Sequence, residues 1–153
     1  MSGEIMMASR DLITVDKATG EIVNGTPMVV PPKRRNGFGV DWMAMAQDGA
    51  MEIAKDPLLK GQDLRVLFAL ISKLDFENWL RVSQSELAKE LAMHQPHIAR
   101  SMATLADRGI LLKGPKVGSF NTYRLNPAFG WKGSAHGHRE ALRRHREGDE
   151  HEG

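Results

Sequence analysis

The sequence contains no cysteine, few aromatic residues and no long apolar run. Without cysteine, disulfide frameworks, thiolate zinc sites and thiol nucleophiles are excluded, and a reducing compartment such as the cytoplasm is the expected location. No stretch approaches the roughly 18 apolar residues of a membrane-spanning helix, and we expect no secretory leader. The sequence therefore predicts a soluble, cytoplasmic protein without a membrane partner.

An excess of charge of one sign is also lacking. The chain has 21 Lys and Arg against 19 Asp and Glu, a net charge of +2, so only the distribution of charge can indicate a partner. Hydrophobic residues make up 41% of the 153 residues and aromatic residues 6%, which predicts one domain with a core of Leu, Ile, Val, Met and Ala.

Sequence motifs of enzymes are missing as well. There is no His-Glu-x-x-His, no Gly-x-Ser-x-Gly and no phosphate loop ending in Gly-Lys-Ser/Thr. Four histidines follow residue 134, but their glycine-rich surroundings offer no preorganised metal site. We expect no enzymatic activity, no catalytic residue, no metal and no cofactor.

Composition divides the chain into four parts. Residues 1–37 are predicted to form an N-terminal hairpin, with 12–15 pairing with 21–23, followed by a basic linker that carries Lys33, Arg34 and Arg35. Whether this linker contacts DNA is left open. Residues 38–60 are predicted to hold a docking helix, over 38–54, and residues 61–133 the main domain. Residues 134–153 are predicted to be a charged, disordered tail with a helix over 140–146 at most.

The main domain begins with a periodic segment. A helix is predicted from about residue 61 to 74, because apolar residues recur at spacings of three and four and would share one buried face. A short strand is predicted over 79–82. The predicted inward residues of the helix are Leu64, Leu67, Phe68, Ile71 and Leu74.

Two closely spaced helices follow. Ser83 and Glu86 have the spacing of a capping box, which predicts a helix start. A third helix is predicted over 94–108, with Ile98, Met102 and Leu105 inward. Ala88 and Ile98 are spaced as two helices crossing over a tight turn require, which predicts a helix-turn-helix.

An apolar strand is predicted over 110–112, a glycine-rich loop over 113–119 and a returning strand over 120–125. The order helix, strand, helix, helix, strand, loop, strand is that of a winged helix-turn-helix. The predicted fold class is therefore mainly α with a small β-wing (α+β).

Basic residues concentrate around the predicted third helix and loop. From residue 94 to 127 there are five basic residues and a single acidic one, Asp107. Because a recognition helix presents its first turns to the major groove, Gln95 is expected to contact adenine and Arg100 guanine or a phosphate. Lys113 and Lys116 are expected to contact phosphates. The full set of predicted DNA-binding residues is His94, Gln95, Pro96, His97, Arg100, Ser101, Thr104, Lys113 and Lys116.

At these positions the chain resembles plasmid replication proteins of the RepL type. The resemblance covers roughly residues 12–133 and implies a winged-helix protein that acts in plasmid replication initiation or its control. Ala92 stands where such proteins often have glycine, and His94 where they usually have Ser or Thr. The segments that carry the resemblance are 66–74, 83–91, 98–105, 108–111, 123–127 and 131–133, with 15–16 and 19–23 near the N-terminus.

These observations favour sequence-specific binding of double-stranded DNA. Two alternatives remain at this stage. One is a transcriptional repressor with the same docking surface, and the other is a protein-interaction module without DNA binding. A homodimer and replication proteins are further candidate partners, and segment 42–54 or the C-terminal helix could supply a dimer interface.

Overall fold

The computed structural model describes residues 3–8, 11–16, 37–39, 41–118 and 120–151, and the chain divides into two compact units, 1–39 and 40–153. In the first unit, β1 (Gly3–Ala8) and β2 (Asp11–Asp16) form an antiparallel hairpin in which Gly3 pairs with Asp16 and Ala8 with Asp11. The predicted strand 21–23 and the basic linker with Lys33, Arg34 and Arg35 lie outside the described residues.

The second unit contains helices and short antiparallel strands, which agrees with the predicted α+β composition. Its elements are β3 (Ala44–Met45), α1 (Gln47–Lys55), α2 (Gly61–Ser72), a 3-10 turn (Phe76–Asn78), β4 (Trp79–Leu80), α3 (Gln84–Leu91), α4 (Gln95–Asp107), β5 (Leu111–Val117), β6 (Phe120–Leu125), β7 (Gly130–Trp131) and α5 (Ala135–His151). No helix among the described residues is long and apolar enough to cross a membrane.

Two small sheets organise the strands of this unit. In the larger one β6 lies between β4 and β5, with Trp79 opposite Arg124 and Leu111 opposite Leu125. In the other, β3 pairs with β7, so that Ala44 lies opposite Trp131. Each pairing is antiparallel, and the second joins residues that are far apart in the sequence.

Helices α2, α3 and α4 surround one apolar core together with the inner face of the larger sheet. The prediction for α2 was wrong at Phe68, whose exposed fraction is 64%, because the helix turns Val66 and Leu70 toward its neighbours instead. Leu64 and Ile71 are half-buried at the margin of the core. The buried apolar residues are Val66, Leu67, Leu70, Leu74, Leu80, Leu87, Ile98, Met102, Leu105, Ile110, Leu111 and Leu125, with Trp131 nearby.

The docking helix is shorter than the prediction over 38–54. Residues 44–45 are a strand, and α1 begins only at Gln47. Gly49 is the buried residue of this helix. A Cβ atom there would lie 2.9 Å from Cδ1 of Phe129 and 3.1 Å from Cα of Phe129, so only glycine lets α1 approach this closely.

The C-terminal segment also differs from its prediction, because α5 extends over Ala135–His151. The imidazole of His138 stacks on Trp131 with ring centroids 5.2 Å apart, and its Nε2–H donates to the Pro127 carbonyl at 2.8 Å. Nε2 of His145 lies 3.3 Å from the side-chain nitrogen of Asn126. These contacts with the body of the domain supply stabilisation that the apolar content of the segment alone does not.

Asn78 joins three parts of the chain at the end of the 3-10 turn. Its side chain is fully buried, and its amide donates to the carbonyls of Leu125 and Gly130 at 3.0 and 2.7 Å. Its Oδ1 accepts the Lys132 N–H at 2.9 Å. The backbone φ of 64° is one that asparagine tolerates better than most residues. The polar junction fixes β4 relative to β6 and β7.

Candidate nucleic-acid interface

The connection between α3 and α4 is short and sharply bent. Ser83 caps α3 by accepting the Glu86 N–H at 3.1 Å, as the capping spacing predicts. Ala92 ends the helix in the left-handed conformation, with φ 51° and ψ 46°, and the Met93 N–H bonds the Ala88 carbonyl at 2.9 Å. His94 then begins α4 without a side-chain cap.

The predicted third helix is present as α4, with His94 and Arg108 as its caps. Ile98, Met102 and Leu105 of α4 are buried, as the periodicity predicts, and Leu87 of α3 is buried beside them. Since these residues face the core, the opposite side of α4 faces solvent.

This outer side of α4 carries most of the predicted contact residues. His94, Gln95, Pro96 and Arg100 are exposed, whereas His97 and Thr104 are half-buried. No acidic residue occurs between positions 94 and 104. The face therefore offers amide, imidazole and guanidinium groups, and residues 94–104 contribute no carboxylate to it.

Several contacts hold the side chains of this face close to the helix. The Arg100 guanidinium lies along the helix, with Nε 3.4 Å from the Pro96 carbonyl oxygen. The Thr104 hydroxyl donates to the Arg100 carbonyl at 3.0 Å. The rings of His94 and His97 meet edge to face, with their centroids 5.8 Å apart.

Ser101 does not belong to this face, and its prediction as a DNA contact was wrong. Its exposed fraction is 1%, and its hydroxyl donates to Oδ1 of Asp63 at 2.7 Å. Asp63 is also buried, and its Oδ2 accepts the Lys60 N–H at the start of α2. The serine is turned inward because it follows Ile98 by three positions and precedes Leu105 by four. It fixes α4 against α2.

Lys60 and Gln62 lie beside the outer side of α4 and were not predicted. Together with His97, Arg100 and Thr104 they line a polar cleft of about 250 Å³. The Gln62 side-chain nitrogen lies 3.4 Å from the His97 carbonyl oxygen. The sequence signal for this contact is weak, because Gln62 and His97 are 35 residues apart.

The predicted loop 113–119 is mostly strand. β5 continues to Val117, which pairs with Phe120 of β6, and Gly118 follows β5 with a φ of 63°. The register shifts between Lys113 and Lys116, where Gly114 and Pro115 stand, because proline cannot donate a ladder hydrogen bond. Lys113 and Lys116 themselves are exposed.

Two of the five basic residues counted in this region have partners within the protein. Nε of Arg108 lies 2.6 Å from Oδ2 of Asp56. The hydrogen bond from Arg108, with a second from the Leu58 N–H, lowers the pKa of Asp56. Arg124 is half-buried over the Trp79 ring and donates to the Glu77 carbonyl at 3.0 Å. Burial lowers the pKa of Arg124, although a guanidinium remains charged at neutral pH.

The remaining three, Arg100, Lys113 and Lys116, form no ion pair with any residue that the structure describes. These three side chains are exposed, so they remain available for an anionic partner.

No protein-family model, curated protein or solved structure matches this chain.

Proposed function

We propose that residues 61–133 form a winged helix-turn-helix domain that binds double-stranded DNA at a specific sequence. In this proposal α4 enters the major groove and the β5–β6 hairpin is the wing. The observation that carries it is the outer side of α4, where Gln95 and Arg100 are exposed on a helix whose opposite side is buried in the core.

The strand order also supports the proposal. The short β4, which precedes α3 and α4, pairs with β6 of the β5–β6 hairpin that follows them. The two closely connected helices are therefore flanked in the sequence by strands of one three-stranded sheet. The exposed lysines of this hairpin, Lys113 and Lys116, suit contacts with phosphates.

The side chains have distinct proposed roles. Gln95 reads adenine through its amide, and Arg100 contacts guanine or a phosphate. His94, Pro96, His97 and Thr104 line the groove-facing surface. Ser101 acts only by holding α4 in place through Asp63.

The binding experiment starts from a random duplex library and measures affinity for the enriched sequence at several salt concentrations. A steep loss of affinity with salt is expected, because phosphate contacts release counterions. Arg100→Ala should weaken the specific complex by about 1 to 3 kcal/mol if the side chain contacts a base. Arg139→Ala, an exposed arginine on α5, is the matched control and should leave the affinity almost unchanged.

Failure to enrich any duplex sequence would refute the proposed function and favour a protein-interaction module. Equal losses in the two arginine variants would remove Arg100 from the interface.

The proposed biological role, replication initiation or its control in a plasmid, rests on the resemblance to RepL-type proteins. The chain would then recruit or exclude other proteins at its site without bond chemistry. Deleting its gene from a replicon that carries it separates the roles: loss of replication supports an initiator, whereas altered promoter output alone indicates a repressor.

A further inference from the structure

A second cleft, of about 540 Å³, lies between the start of α3 and the tip of the β5–β6 hairpin. It exists because β4 pairs with β6 only at Trp79 and Leu80, after which the chain turns away toward Ser83. The hairpin continues further, so the side of β6 that faces away from β5 has no described strand beside it at residues 121–122.

The walls of the cleft are mostly apolar. Trp79, Val82 and Val117 are the apolar residues at its rim, together with Leu80. The Trp79 ring is held in place because the Arg124 guanidinium covers it at 4.7 Å from its centroid. A rigid aromatic wall of this kind suits a flat apolar ligand.

Some polar groups of the cleft are already satisfied within the protein. The Thr122 hydroxyl donates to the Pro115 carbonyl at 2.6 Å, and the Ser83 oxygen accepts the Glu86 N–H at 3.1 Å. The side-chain amide of Asn121, in contrast, has no hydrogen-bond partner within the described part of the chain.

Arg81 is the charged residue among those that line the cleft. Its side chain is 82% exposed, and its ion pair with Asp75 is long, at 3.7 Å between Nε and Oδ2. A guanidinium held this loosely can turn to an anionic group, and it matches a carboxylate in geometry.

We propose that this cleft binds a small molecule with an aromatic body and a single carboxylate. The body contacts Trp79, Val82 and Val117, and the carboxylate pairs with Arg81 and accepts a hydrogen bond from Asn121. The volume lies within the range of about 300 to 1,000 Å³ that is usual for small-molecule sites.

The test titrates the full chain with 1-naphthoate and, separately, with the uncharged 1-naphthamide, using NMR shifts of backbone and indole N–H groups. Saturable shifts at Trp79, Val82 and Asn121 are expected with naphthoate. Arg81→Gln should weaken naphthoate by about fivefold, the upper range for an exposed ion pair, and leave naphthamide unchanged. Arg139→Gln on α5 is the matched control and should change neither.

Val117→Trp fills the cleft from the exposed hairpin tip and should weaken both probes by about tenfold or more. Far-UV circular dichroism confirms that each variant is folded. The proposal is overturned by the absence of saturation, by equal effects of the two arginine variants, by unchanged binding to the Val117 variant, or by shifts centred on the exposed Phe68. The assay contains no DNA, so its outcome is independent of the proposed function.

Discussion

Removing the Ser101 hydroxyl tests the contact that holds α4 against α2. The hydroxyl donates to a carboxylate oxygen of Asp63 at 2.7 Å, and both side chains are buried. Ser101→Ala leaves that oxygen without its side-chain donor in a largely buried site. The expected loss is about 1 to 3 kcal/mol in the free energy of unfolding. For a chain of this size a loss of 2 kcal/mol corresponds to a fall in Tm of about 4 to 8 °C.

The assay is urea unfolding followed by circular dichroism, with Ser72→Ala as the control. Ser72 is an exposed residue at the end of α2 whose hydroxyl bonds the Ala69 carbonyl at 2.7 Å. Its replacement should change stability by about 0.5 kcal/mol or less. If the two variants lose equal stability, the buried hydrogen bond does not position α4 as described.

Three further predictions concern stability. Asn78→Ala removes three buried hydrogen bonds and should lower the free energy of unfolding by about 3 kcal/mol or more, measured by urea unfolding. A loss below about 1 kcal/mol would contradict the role of Asn78 in fixing β4 relative to β6 and β7. Ala92→Gly should raise stability by about 0.5 to 1 kcal/mol because glycine relieves the left-handed strain, and a lower Tm would contradict this. Since Arg108 lowers the pKa of Asp56 from 3.8, the pair stabilises the fold above that pH and ceases to do so as pH falls through the lowered value. The stability difference between the wild type and Arg108→Gln should therefore shrink in acid, and a constant difference from pH 2 to 7 would refute the pairing.

Local sequence patterns predict the helices around the candidate interface well. The capping serine at position 83 and the spacing of Ile98, Met102 and Leu105 locate α3 and α4 because both signals act within a few residues. The same pattern also places Ser101 on the inner side of α4. Its polar side chain suggested an outward position, and the buried partner that explains it, Asp63, is 38 residues away.

Other errors share this cause. The apolar residues of α2 itself occupy nearly all sides of the helix. Periodicity alone therefore could not decide that Phe68 faces solvent and Leu70 faces the core. From the sequence alone, Arg108 and Arg124 cannot be told from unpaired cations. In the structure Arg108 pairs with Asp56 and Arg124 lies over the Trp79 ring, and both partners are distant along the chain. The length of α5 likewise depends on Trp131 and on contacts that no local pattern reveals.

The pairing of β3 with β7 has a practical consequence for expressing shorter fragments. Ala44 lies opposite Trp131, and the Ala46 N–H bonds the Phe129 carbonyl at 2.9 Å. A fragment starting at residue 61 would lose this strand and α1 together, uncovering Phe129 and taking Asp56 away from Arg108. The smallest fragment suited to crystallisation or NMR therefore begins before residue 44 and includes β7. Affinity tags should be attached outside β3 and β7.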